Sequence, residues 1–194
     1  AGAFFALALL WSAGKGTYAY ITEPPAKTVE AAYHEHPKAL SLSSDGAFGK
    51  FDRQQLQRGF QVYKEVCSAC HSLKLVSVRN LAELGYTEAE VKAEAASLTV
   101  PGIDPNTGET NTRPGLPTDA FPSPYPNEIA ARAANNNALP PDLSLITKAR
   151  HDGGNYVYSL LTGYQNQPAE LIKQFPDAKT PNGLYYNPYF ANLN

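Results

Sequence analysis

Apolar and polar positions follow a helical period in only a few places along this 194-residue chain. The clearest begins at Asp52, where Leu56, Phe60 and Tyr63 recur at four- and three-residue spacing and form one apolar stripe. Asp52 is the predicted N-cap, and Gln55, three residues on, completes a capping box. Gly59 falls inside this helix, where it costs about 1 kcal/mol relative to alanine; the expected compensation is close approach by another helix. A second helix is predicted from Thr87, with Glu90 as its capping-box partner, to about Leu98. A third, alanine-rich at Ala130, Ala131, Ala133 and Ala134, runs from Asn127 to about Asn135. Pro140-Pro141 breaks the chain. Asp142 then caps a predicted short helix through Arg150, and Asn155 caps another that stops at Gly163. No segment alternates with period two, so no strand is predicted.

The rest of the pattern is irregular. Between Val100 and Asn127 stand seven prolines and three glycines, a density no helix survives; a loop of that length is functional or packed on something. The tail carries an aromatic group, Tyr185, Tyr186, Tyr189 and Phe190. Residues 1–11 are an uncharged apolar run, too short alone for a membrane-spanning helix of about 20 residues. They fit the apolar core of a secretory signal or the last turns of a longer spanning helix, and either implies export across a membrane. Residues 12–50 are punctuated by Gly14, Gly16, Pro24, Pro25, Pro37, Gly46 and Gly49. The expected organisation is an apolar leader or membrane segment over 1–22, an extended lead-in over 23–50, and one domain over 51–194. It is mainly α with long irregular loops.

Charge changes this picture in one respect. The net charge of −2 comes with no basic run, so no general attraction to nucleic acid is expected. Its distribution is uneven: Glu83 to Glu128 carries −6 and the remainder +4. That stretch reads either as a solvated acidic face or as a docking surface for a basic partner.

The chemistry concentrates in Cys67-Ser68-Ala69-Cys70-His71. Two thiols separated by two residues and followed at once by an imidazole fit covalent attachment of a c-type haem: the thiols add across the vinyl groups and the helical turn places His71 under the iron. A thioredoxin-like redox pair would want a βαβ setting, which the pattern lacks. A zinc site would need two more ligands at zinc-like spacing, and His34 and His36 are the nearest pair.

Beyond the haem motif, Arg58 to Ser72 resembles cytochrome c1, the haem subunit of the cytochrome bc1 complex. So do Pro124-Tyr125-Pro126-Asn127, Ala130 to Asn136 with Ala138 to Ser144, Ala149-Arg150-His151, Tyr156 to Tyr164 and Asn187-Pro188-Tyr189-Phe190, in the expected order over roughly residues 50–190. The resemblance implies a class I cytochrome c-like domain with one covalent haem c in its core and no independent catalytic chemistry. It implies Cys67 and Cys70 as attachment points, His71 as axial iron ligand, and Arg150, helped by Tyr156, beside a propionate. Asn135, Ala138, Pro140, Pro141, Leu160, Leu161 and Phe190 become pocket walls. As an alternative, Arg150 is a helix C-terminal cation. The implied partners are cytochrome b, the Rieske iron–sulfur protein as electron donor and a cytochrome c as acceptor. The implied place is a membrane complex with the haem domain in the periplasm or mitochondrial intermembrane space.

Two departures stand out. Asn137 occupies a position where the family usually has glycine, though asparagine also tolerates positive φ. The family's sixth iron ligand is a methionine shortly after the Asn-Pro-Tyr-Phe block, and this chain contains none. That ligand and the family's C-terminal membrane anchor are expected beyond Asn194. His34, His36 and His151 are alternative ligands on paper. A stand-alone electron shuttle or sensor, or a haem enzyme with an open iron site, would be alternative functions.

Overall fold

The computed structural model describes residues 2–24 and 26–193. The chain divides into two units, residues 39–156 and the remainder on either side, and each is taken on its own.

In the central unit, α3 (Arg53–Glu65) starts where Asp52 Oδ1 accepts the amides of Gln54 and Gln55. No return bond from Gln55 forms among the described residues, so the cap is half a box. Its stripe delivers Phe60 and Tyr63 to an aromatic cluster: Phe60 meets Phe121 at 5.7 Å and Tyr86 at 6.0 Å, and Tyr63 meets Phe121 at 6.0 Å. Val78, Leu81, Val91, Ala95 and Phe121 form the buried core beneath. Gly59 is exposed, and a methyl there would meet nothing within 4 Å, so the expected helix approach is not made. It lies off the stripe that packs, on the solvent side.

A one-turn 3₁₀ segment, Cys67–Ala69, follows α3, and a second 3₁₀ helix spans Val78–Leu84. α4 (Glu88–Ser97) has the predicted Thr87/Glu90 capping box, with both reciprocal bonds. The proline-rich stretch then contains a structure the pattern did not predict: β1 (Thr99–Ile103) and β2 (Thr110–Pro114) pair antiparallel, Thr99 opposite Pro114 and Ile103 opposite Thr110. Of the ten positions only Val100 is buried, so the ribbon needs no alternating apolar face and leaves no periodic signal. Asp104 closes its turn by accepting the amides of Asn106 and Thr107. The following loop is packed, with the Val78 amide on Asp119 O and the Phe121 amide on Val76 O. The Arg113–Asp119 pair, at 2.7 and 2.8 Å, braces it.

α5 (Glu128–Ala134) is capped by Asn127 as predicted. Asn137 adopts φ 67°, the left-handed conformation for which asparagine substitutes for glycine. The helix expected from Asp142 to Arg150 is instead a run of turns, because the Asp142 carboxylate is used across the fold. α6 (Gly153–Thr162) begins before Asn155; that side chain accepts the Leu40 amide and caps no helix.

In the other unit, α1 (Gly2–Thr22) extends well past the apolar run and is exposed throughout. No helix among the described residues is long and apolar enough to cross a membrane. The lead-in read as extended holds a short helix, α2 (Val29–Tyr33), capped by Thr28. Leu171 from α7 (Ala169–Gln174) packs with Tyr186 and Leu193. Asn187 is fully buried; its Nδ2 donates to Leu160 O and its Oδ1 accepts the Tyr189 amide.

Candidate functional site

The Cys67–His71 turn is shaped by its own backbone. Cys67 O accepts both the Cys70 amide, at 3.1 Å, and the His71 amide, at 2.8 Å. The Ser68 hydroxyl donates to Lys64 O and ties the turn to the end of α3. Cys67 and Cys70 are free, half-buried thiols. Among the described residues no three His, Cys, Asp or Glu side chains converge as a metal cage, so a zinc reading has no ligand set here.

His71 is held at both ends. Its carbonyl accepts the Tyr63 hydroxyl at 3.3 Å, and its ring Nδ1 lies 2.8 Å from Pro141 O. A carbonyl only accepts, so Nδ1 carries the proton, and Nε2 presents a lone pair on the far side of the ring. Burial, then the Asp142 charge, then Cys67 push the Tyr63 hydroxyl above its ordinary value, so it stays a donor. This donor set fits a c-type haem: two thiols one turn apart, and an imidazole whose tautomer is fixed for iron.

Pro141 is placed by its neighbours. Asp142 Oδ2 accepts the Ser72 hydroxyl and the Lys74 amide, each at 2.8 Å, and Oδ1 accepts the Ser144 amide at 3.0 Å. Burial pulls the Asp142 carboxyl upward, but the bonds from Lys74, Ser144 and Ser72 outweigh it and hold the group at about 2.

Of the predicted residues, Cys70 and Pro140 line one cavity of about 200 Å³ with Tyr125, Ala131 and Leu139. Asn135 Nδ2 donates to Ala131 O and to the Tyr125 hydroxyl beside it, and Ala138 is exposed on the turn that follows. Arg150 is exposed and donates to Ala149 O; Tyr156 is half-buried. Leu160 is half-buried, whereas Leu161 and Phe190 are exposed. Sequence reasoning gave Pro141 a wall's role and missed its carbonyl as the imidazole's acceptor. It also missed Tyr63, Ser72 and Asp142. The available signal was Asp142-x-Ser144, a side-chain-to-backbone turn that competes with a helix cap.

The Cytochrome C1 family matches residues 42–194, a span that holds all of these contacts. A mitochondrial cytochrome c1 heme protein of Arabidopsis thaliana is 46% identical over 95% of this chain and 57% of its own length. The mitochondrial cytochrome b-c1 complex catalytic subunit of Candida albicans is 47% identical over 85% of this chain and 56% of its own. Cytochrome c1 of Rhodospirillum rubrum is 47% identical over 75% of this chain and 57% of its own. The chain thus spans a little over half the length of these curated relatives. With thiols, tautomer-fixed imidazole and mainly α fold all inside the matched span, this chain belongs to the cytochrome c1 family, which carries one covalent c-type haem.

Proposed function

We propose that Cys67 and Cys70 hold the haem through thioether bonds, each S–H adding across one vinyl group, and that Nε2 of His71 ligates the iron. The chain then passes single electrons as the cytochrome c1 subunit of a membrane quinol–cytochrome c reductase, from the Rieske iron–sulfur protein to a cytochrome c. The observation that carries this reading is the 2.8 Å contact from His71 Nδ1 to Pro141 O in the residue next to the thiol pair. The haem supplies a one-electron iron couple; the protein supplies ligation, burial and hydrogen bonding.

Arg150 is the proposed propionate partner. It spends one N–H on Ala149 O, and its other donors fit a carboxylate bidentately; Tyr156 is its proposed helper. Asn135, Ala138, Pro140 and Pro141 are proposed walls. For Leu160, Leu161 and Phe190 the family resemblance alone supports that role. The haem domain is placed in the periplasm or the mitochondrial intermembrane space, in a membrane complex with cytochrome b.

The acidic stretch is the proposed docking face for a basic cytochrome c, with a refinement. Several of its carboxylates have local duties: Glu88 pairs with Lys92, Glu94 with Lys64 and Asp119 with Arg113, while Glu90 closes a helix cap. Glu83 accepts from Asn80 Nδ2 at 3.0 Å, whereas Glu109 and Glu128 take part in none of these and are exposed. Exchanging both for lysine should slow reduction of a basic cytochrome c at low salt and flatten its ionic-strength dependence, since steering raises association by about 10–10³-fold. Co-purification with a membrane cytochrome b is the deciding experiment; a haem-loaded chain that never associates with it would be a stand-alone shuttle.

A further inference from the structure

His71 immediately precedes Ser72, and Pro141 immediately precedes Asp142. These two neighbours are bonded to each other, Ser72 Oγ to Asp142 Oδ2 at 2.8 Å. Three further bonds join the same two segments: the Lys74 amide to Asp142 Oδ2, the Leu143 amide to Ser72 O at 2.9 Å, and the Leu75 amide to Ser144 Oγ at 3.0 Å. The stitch begins one residue beyond the imidazole on one segment and one residue beyond its carbonyl acceptor on the other. It therefore sets the separation between His71 Nδ1 and Pro141 O. Proline 141 cannot hold that separation by itself, since it has no N–H to anchor.

We propose that Asp142 is a positioning residue for electron transfer: by clamping Ser72, Lys74 and Ser144 it fixes the His71–Pro141 hydrogen bond, and through it the electron donation of His71 to the haem iron. The inference rests on His71 being the iron ligand. A carbonyl on Nδ1–H makes the imidazole a stronger donor and favours ferric iron. Loosening the clamp weakens that bond, favours ferrous iron and raises the midpoint potential. The carboxylate suits the task because all its partners are donors and both of its oxygens only accept. Asparagine keeps one acceptor and turns the other into a donor facing a backbone N–H or a hydroxyl. The carboxyl also remains ionised throughout the physiological range, so the clamp is constant there.

The test compares the full haem-loaded chain with D142N and S72A by redox titration, and follows the His71 Nδ1 proton by NMR in the ferrous, carbon monoxide-bound state. D142N should raise the potential by about 59 mV, a tenfold shift in the oxidised-to-reduced ratio. It should also move the Nδ1 proton upfield and speed its exchange with solvent about tenfold. Removing a negative charge alone would raise the potential without touching the Nδ1 proton. S72A changes no charge, should move both readouts in the same direction by less, and serves if D142N fails to fold. Lowered thermal stability with an unmoved Nδ1 proton and unmoved S72A potential would make Asp142 merely structural and overturn the proposal. Haem released on denaturation would instead overturn the attachment reading beneath it.

Discussion

Truncating Phe121 to alanine removes the ring on which the core and the His71 support meet. Phe121 is 6% exposed and packs against both Phe60, tilted, and Tyr63, edge-on; Tyr63 in turn donates to His71 O. Burial of a phenylalanine in a packed core is worth about 3–5 kcal/mol against alanine. The aromatic pairs, each about 0.5–1.5 kcal/mol beyond area, are part of that loss, and the expected cost is the midpoint of the range, about 4 kcal/mol. A chain of this size loses about 2–4 °C of midpoint per kcal/mol, so the expected fall in Tm is about 8–16 °C. Thermal and urea unfolding followed by far-UV circular dichroism measures it, with an unchanged urea slope showing that stability alone has moved. F121L, which keeps most of the volume, should cost less than about 1.5 kcal/mol. An F121A loss below about 1 kcal/mol would show that the aromatic cluster is not the core of this unit.

Gly163→Ala should destabilise by about 1–3 kcal/mol, because its methyl would sit 2.5 Å from both Ser159 O and Tyr189 Cδ2 and 2.8 Å from Asn187 Oδ1; a thermal melt reads it, and Gly59→Ala, whose methyl meets nothing within 4 Å, should stabilise α3 by about 1 kcal/mol. Acid titration of stability should show Asp142 directly: its carboxyl lies below its ordinary 3.8, so its contribution is complete above that value and is lost as pH falls through about 2. D142N should accordingly flatten the acid limb of a pH–stability curve, and an unchanged limb would remove the clamp from the account. The haem-loaded chain of these 194 residues contains no methionine, so its reduced form should bind carbon monoxide readily and lack the near-infrared methionine–iron band; finding that band would contradict the ligand assignment.

The parts of this molecule that obey one local rule were legible before the structure. Asp52, Thr87 and Asn127 cap the helices they were expected to cap, because a side-chain oxygen and a free amide lie within three residues of each other. The haem motif is equally local. What could not be read depends on partners far along the chain. Asp142 looks like a helix cap beside Ser144, yet its second oxygen is claimed by Ser72 and Lys74, some 70 residues earlier, and no helix forms. Asn155 is likewise diverted to Leu40. The β1–β2 ribbon escaped because it is nearly all exposed, and Gly59 was assigned a contact that the fold does not make. The imidazole's acceptor is a main-chain carbonyl, which side-chain patterns do not reveal.

The central claim is that Cys67 and Cys70 bind one haem covalently with His71 beneath it. The direct test is acid–acetone extraction of the denatured, holo-protein followed by its pyridine haemochrome spectrum, on the chain itself and on Cys67→Ala and Cys70→Ala. The account predicts that haem stays with the polypeptide and gives the spectrum of a doubly thioether-linked ring, and that either substitution leaves one vinyl group intact and shifts that spectrum. Haem that extracts freely from the unsubstituted chain would contradict it.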